Sequence, residues 1–187
     1  MSHYSNRHKA LFLDRDGVIN IDHGYVGSRE RFHFVDGIFD LVQVAQSFGY
    51  KTIVVTNQAG IARRYYTEAD LDVLHSWMLS CFASRNLALD AIYYCPFHPT
   101  KGKGGYLHDS YDRKPKPGML CKAISDHTIN PSRSILIGDS PTDILAAQAA
   151  DVSTSILLSS TTYVDCHPTY QIRQLMQAVT ILNALER

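Results

Sequence analysis

No charge of either sign dominates this chain: 18 lysines and arginines stand against 18 aspartates and glutamates in 187 residues. A balanced surface lacks the general field that draws a protein onto nucleic acid or an anionic membrane, so any anion recognition has to be local. Long apolar runs are missing too. None approaches the roughly 20 residues needed to cross a bilayer, and residues 1–9 are polar, without the apolar centre of a secretory signal. Cysteine is scarce: Cys81, Cys95, Cys121 and Cys166 stand far apart, with no CxxC pair. They read as reduced thiols of a cytoplasmic protein, because a chain of this length buries enough core to fold without disulfides. Repeats and low-complexity segments are absent, and no unpaired apolar stripe calls for a second copy. The expectation is a cytoplasmic monomer, one domain over residues 1–187, with no nucleic-acid or membrane partner.

What is present is alternation. Short apolar runs at residues 10–13, 53–55, 91–94, 135–137 and 155–158 have the near-continuous hydrophobicity of strands buried on both faces. Amphipathic stretches lie between them. Ile38, Leu41, Val42 and Ala45 recur with helical spacing, and Thr67 with Asp70 forms a capping box for a helix bearing Leu71, Leu74, Met78 and Phe82. Pro117 suits the first turn of another helix, Ser140-Pro141 opens a fourth, and Ile172, Leu175, Met176, Val179 and Leu182 predict a C-terminal one over residues 168–185. The pattern is that of a three-layer α/β sandwich, Rossmann-like, with a mainly parallel sheet and no large cap. Residues 20–36 and 96–117 have no strong periodicity and read as loops over one edge of the sheet.

Polar residues collect where the predicted strands end, the edge at which such sheets place their chemistry. Asp14 and Asp16 follow the first strand directly. If the chain turns there, Asp14 is placed as a nucleophile and Asp16 as acid and base in phosphate ester hydrolysis. A solvated Asp-Gly turn is the plainer alternative. Thr56, Asn57 and Gln58 end the second strand and offer a hydroxyl, an amide and backbone N–H groups to phosphate oxygens, or else form an ordinary polar loop. Asp139 follows the fourth strand, with Asp143 a further acid that also fits a capping box with Ser140. Carboxylates gathered at adjacent strand ends repel one another unless a cation sits among them, and hard oxygen ligands favour Mg²⁺. Arg113 and Lys114 supply positive charge, Lys114 for the transferring phosphoryl group and Arg113 for a substrate oxygen, or are simply solvated.

The ordered set Asp14-x-Asp16-Gly-Val, Thr56-Asn57-Gln58, Lys114-Pro and Gly138-Asp139-Ser-x-x-Asp143 resembles the haloacid dehalogenase superfamily of phosphohydrolases. With the segment Asp22-His23-Gly24-Tyr25 and the run Tyr93-Tyr94-Cys95-Pro96, it looks more closely like the heptose bisphosphate and histidinol phosphatase branch, over residues 9–159. The resemblance implies Asp14 as nucleophile, Asp16 as acid and base, and Thr56 with Lys114 as the phosphate-stabilising pair. It implies Mg²⁺ held by Asp14, Asp139 and the main-chain carbonyl of Asp16. Asp22, His23, Gly24, Tyr25, Asn57, Gln58, Ala59 and Arg113 fall at substrate-contacting positions. The implied reaction is removal of the 7-phosphate of a heptose bisphosphate, on the way to activated heptose for surface polysaccharide.

Two features depart from that branch. Where many of its members hold a structural zinc with Cys-x-His and Cys-x-Cys, this chain has Cys95, Phe97, Ser110 and Asp112. The tetrahedral donor set is lost, so a zinc-free loop is expected, held by Phe97, Tyr106 and proline packing. His98, His108 and Asp109 are the residues that would have to regroup for a metal to bind there. Ser140 stands where a lysine is common, and Lys116, Lys101 or Lys103 are the cations near enough in sequence to replace it. A histidinol-phosphate or other small-metabolite phosphatase is the second enzymatic reading, and a non-catalytic phosphosugar-binding protein the reading of another class. His3, His8, His33, His75, His127 and His167 show no metal spacing and read as surface or satisfied partners.

Overall fold

The apolar runs become strands of one sheet. A computed structural model describes residues 7–187; residues 1–6, His3 among them, lie outside it. Strands β1 (Lys9–Leu13), β2 (Tyr50–Asn57), β3 (Ala91–Cys95), β4 (Ile135–Gly138), β5 (Thr154–Leu158) and β6 (Tyr170–Ile172) stand in the order β3-β2-β1-β4-β5-β6, every neighbouring pair parallel. Helices α1 (Ile38–Ser47), α2 (Ala59–Ala62), α3 (Glu68–Ala83), α4 (Gly118–Asp126), α5 (Pro141–Ala149) and α6 (Met176–Leu185) complete the fold.

Because successive side chains on a strand point to opposite faces, the sheet feeds two apolar layers. Leu11, Leu13, Val54, Ile135 and Ile137 pack under α1, α3 and α6 through Ile38, Leu41, Met78, Phe82 and Leu182. Ala10, Phe12, Ile53, Val55 and Leu136 pack under α4 and α5 through Met119, Leu120, Ala146 and Ala147. The three-layer sandwich expected from the sequence is thus the observed one. The expected capping boxes are formed as well, Thr67 with Asp70 on α3 and Ser140 with Asp143 on α5.

The C-terminal segment differs from expectation. Residues 170–172 are not helical but form β6, paired to β5 from Ile156↔Tyr170 to Leu158↔Ile172, and the helix starts only at Met176. Unpaired groups on β5 call for a strand there, while Ile172 still lies in the same apolar layer as Leu175, Ala178 and Leu182. Its burial mimics a continued helical stripe. Met176, assigned to that stripe, is exposed. The turn α2 was not anticipated at all.

The sheet order reverses between β1 and β4, whose register pairs Leu13 with Ile137. That reversal opens a crevice at the carboxyl ends of the two strands. Asp14 and Asp139 stand at its two sides.

Candidate active site

The backbone brings the acids together first. Asp14 N–H donates to the Ile137 carbonyl (3.0 Å), which extends the β1–β4 ladder one residue beyond the strand. Gly17 then turns with φ +85°, and a Cβ there would lie 2.0 Å from Asp139 Oδ2. The position after the second aspartate must be glycine because the third carboxylate occupies the space of a side chain.

Asp14, Asp139 and Asp143 each offer a carboxylate oxygen, all within 4.8 Å of one another, the only such group of potential metal ligands among the described residues. Asp143, a further acid that also fits a capping box by sequence, has both roles. Its Oδ2 accepts from Ser140 N–H (3.1 Å), and its Oδ1 faces Lys114 Nζ at 2.5 Å. The same ammonium lies 3.1 Å from Asp14 Oδ1 and donates to the Val55 carbonyl (2.8 Å).

The electrostatics follow from burial. Asp14 is pushed up to about 8, by burial first and then by Asp143, Asp139 and Asp16, with Lys114 opposing. Asp139 is pushed up to about 7, by burial, Asp143 and Asp22. Burial acts against the charge on Lys114, but Asp14 and Asp143 outweigh it and hold the ammonium well above the ordinary lysine value. Three carboxylates against one lysine leave an excess of negative charge on hard oxygen donors. A divalent cation of the Mg²⁺ type fits that donor set.

A cavity of about 390 Å³ opens over this cluster, walled by Asp14, Asp16, Asp22, Gly24, Tyr25, Asn57, Ala59, Lys114 and Asp139, with Tyr66, Ser140 and Thr142. The sequence did not single out Tyr66 or Thr142. Four expected residues are not in the wall. Thr56 and Gln58 are buried beneath it, His23 turns to His33 (3.2 Å), and Arg113 donates to the Phe97 carbonyl (3.2 Å). Asn57 is in the wall, but its amide makes a reciprocal pair with the Lys114 main chain, both bonds 3.1 Å, and so fixes Lys114.

Asp16 has the densest set of partners. Arg15 Nη2 donates to both of its oxygens (2.8 Å each), Asn20 Nδ2 to Oδ1 (3.0 Å) and Gln58 Nε2 to Oδ2 (3.0 Å). Arg15 is fully buried. Sequence reasoning passed over both Arg15 and Asn20. An arginine at the end of a wholly apolar strand was the available signal, since such a charge is almost never buried unpaired.

In the loop after β3 the potential donors make other contacts. The Cys95 thiol is buried and pushed up by that burial, and Phe97 packs against Tyr106 (5.9 Å) and His108 (5.5 Å). His98 Nδ1 accepts from the Thr100 and Lys101 N–H groups, and Asp109 pairs with Lys116 at 2.7 Å. These side chains are therefore engaged elsewhere, and Lys116 is not free to replace the lysine missing at Ser140.

Known proteins resemble this chain over most of its length. A HAD-hydrolase-like family model matches residues 111–178. The chain is 49% identical over 152 residues to a D-glycero-alpha-D-manno-heptose-1,7-bisphosphate 7-phosphatase of Burkholderia mallei, covering 81% of this chain and 80% of that one. It is 47% identical, over 81% of this chain and 82% of the relative, to the beta-anomer enzyme of Pasteurella multocida. A HAD-like protein from Mesorhizobium loti has the same fold with a TM-score of 0.85 and 28% identity, covering 97% of this chain and 88% of that one. The D,D-heptose 1,7-bisphosphate phosphatase from B. bronchiseptica, solved with magnesium and phosphate, has a TM-score of 0.78 at 24% identity, over 94% and 98% of the two chains.

Proposed function

This chain belongs to the heptose-1,7-bisphosphate 7-phosphatase family of HAD-like hydrolases, and from that premise we propose that it removes the 7-phosphate of a D-glycero-D-manno-heptose 1,7-bisphosphate through an aspartyl-phosphate on Asp14. The observation that carries this reading is the buried Asp14–Lys114–Asp143 group beside Asp139, at the sheet's reversal point.

Asp14 Oδ attacks phosphorus while the bond from phosphorus to the sugar oxygen breaks, and Asp16 gives its proton to that oxygen. Asp16 then takes a proton from water as the water oxygen attacks phosphorus, the bond to Asp14 breaks, and inorganic phosphate leaves. Lys114, held on Asp14, offsets charge on the phosphoryl oxygens. Asp14, Asp139 and the main-chain carbonyl of Asp16 would hold Mg²⁺, whose positive charge would let an anionic nucleophile approach a phosphate dianion. Burial and acid neighbours leave Asp14 with a high proton affinity, so the metal-free protein is a poor nucleophile at neutral pH.

Support for a second anionic group on the substrate comes from Arg63 and Arg113. Arg63 lies over the Tyr25 ring (5.2 Å), which walls the cavity, and its buried Nε has no hydrogen-bond partner among the described residues. Cations behind that wall suit a second phosphate better than the amine of histidinol phosphate. The four free thiols suit the cytoplasm, and the loop donors suit a protein without structural zinc.

Phosphate release is the test, with Mg²⁺, both heptose bisphosphate anomers, histidinol phosphate and simple monophosphates. A strong preference for a heptose bisphosphate is expected, and Asp14→Asn should be inactive. Undiminished turnover by that variant, or a preference for histidinol phosphate, would refute the assignment.

A further inference from the structure

Arg15, Gln58, His75 and Tyr66 have no part in the chemistry above, yet they form two arms of hydrogen bonds, His75–Arg15 and Tyr66–Gln58, that meet on Asp16. On the reading of Asp16 as acid and base, we propose that Arg15 and Gln58 are positioning residues that fix the Asp16 carboxylate for both proton transfers. His75 and Tyr66 fix Arg15 and Gln58 in turn.

Arg15 Nη2 spans both Asp16 oxygens and the Val26 carbonyl (2.6 Å), while Nη1 meets His75 Nε2 at 3.3 Å. Burial first, and Arg15 second, push His75 down to about 3, so its ring stays neutral and accepts that N–H. On the other side Tyr66 O–H donates to Gln58 Oε1 (2.6 Å). That bond decides the amide's orientation, because it leaves Gln58 Nε2 to point at Asp16 Oδ2 and Thr56 Oγ1. The Tyr66 ring is itself confined: a Cβ at Gly60 would lie 2.2 Å from its Cε1.

Neither Arg15 nor Gln58 is accounted for by capping or by a structural ion pair. Gln58 sits at the N-cap of α2 but makes no capping bond with its side chain. Arg15 is fully buried, and its one carboxylate partner is an acid in the cavity wall whose side chain keeps 20% exposure. Both oxygens accept from protein side chains, which fixes the plane of the carboxylate, and the exposed part of the side chain is the part that lines the cavity. An acid misplaced by about 1 Å loses much of its effect, so such a frame acts on rate.

The experiment compares kcat/KM on two esters, p-nitrophenyl phosphate and the heptose 1,7-bisphosphate, for the wild type, Asp16→Asn, Gln58→Met and Arg15→Lys. kcat/KM reports only the steps up to the first P–O cleavage. A nitrophenolate departs without a proton, whereas a sugar alkoxide needs one. Gln58→Met should lose about tenfold or more on the sugar phosphate and less than about threefold on the aryl ester, the same direction as Asp16→Asn with a smaller size. Equal losses on both esters, or none, would overturn the proposal and leave Gln58 a packing residue. Should Gln58→Met fail to fold, Arg15→Lys, which keeps a cation but cannot span both oxygens, gives the same readout. If Asp16→Asn itself fails to discriminate between the esters, the acid–base assignment falls and takes this proposal with it. If only Asp16→Asn discriminates, the frame alone is refuted.

Discussion

Lys114 is 3% exposed and touches two carboxyl groups, so its removal leaves two buried acids without their counter-charge. Breaking a buried pair from one side costs about 3–5 kcal/mol. Lys114→Ala should therefore both abolish phosphate release and lower the melting temperature measured by circular dichroism. Asp14→Asn separates the two effects. It removes one charge from a crowded acidic group, so the metal-free variant should melt above the wild type while phosphate release falls on the order of a thousandfold or more. A variant that melts lower would mean that Lys114, not acid repulsion, dominates the cluster. Gly17→Ala belongs to this scale as well. It meets both a positive φ and the Asp139 carboxylate, so it should lose activity and about 1–3 kcal/mol of stability in denaturant melts.

At the scale of elements, the segment 22–25 is a substrate wall made from a loop and needs an anchor. Arg31, just after it, supplies one: Nη2 donates to the carbonyls of His23 (2.7 Å) and Gly24 (3.0 Å). Asp22 Oδ1 accepts from Gly24 N–H (2.7 Å), which closes the turn from within. Since Asp22, Gly24 and Tyr25 line the cavity without touching the Asp14–Lys114 pair, loosening them should weaken binding more than chemistry. Arg31→Ala is expected to raise KM several-fold with kcat within about twofold, in steady-state phosphate release. The same elements mark how far the sequence could be read. Strand identities, capping boxes and the acids at strand ends were legible because each depends on local periodicity or on a neighbouring residue. The roles of residues 56–59 were not. At the end of β2 the two-residue alternation turns Thr56 inward and Asn57 to the cavity wall, and the chain then enters α2 with Gln58 buried at its N-cap and Ala59 back at the wall. The motif resemblance put Asn57, Gln58 and Ala59 on the substrate, and the change from strand to helix at Gln58, which separates it from the other two, has no signal in local periodicity. Strand β6 was hidden for the opposite reason: burial of Ile172 fits a helical stripe and an edge strand equally well, and only pairing with β5 decides between them.

At the scale of the whole molecule, the sheet reversal between β1 and β4 couples folding to proton and cation binding. Folding collects carboxylates that are far apart in sequence into one buried group. Asp14 and Asp139 are raised to about 8 and about 7, whereas an unfolded aspartate titrates near ~3.9. Between those values the folded chain holds more protons than the unfolded one, so this contribution to stability is fully present below about pH 4 and is lost as pH rises toward 8. A cation competes for the same oxygens and binds them deprotonated, which makes its stabilising effect grow in the direction in which the proton's fades. In thermal melts with chelator or with Mg²⁺, the chelated protein should lose melting temperature from pH 6 to pH 8. The increase given by Mg²⁺ should be larger at pH 8 than at pH 6. Asp139→Asn should shrink that increase at both values, because it removes one proposed ligand while leaving Lys114 and Asp143 paired. An Mg²⁺ effect that does not change with pH, or that survives intact in Asp139→Asn, would place the ion away from the strand ends that fold to form this cluster.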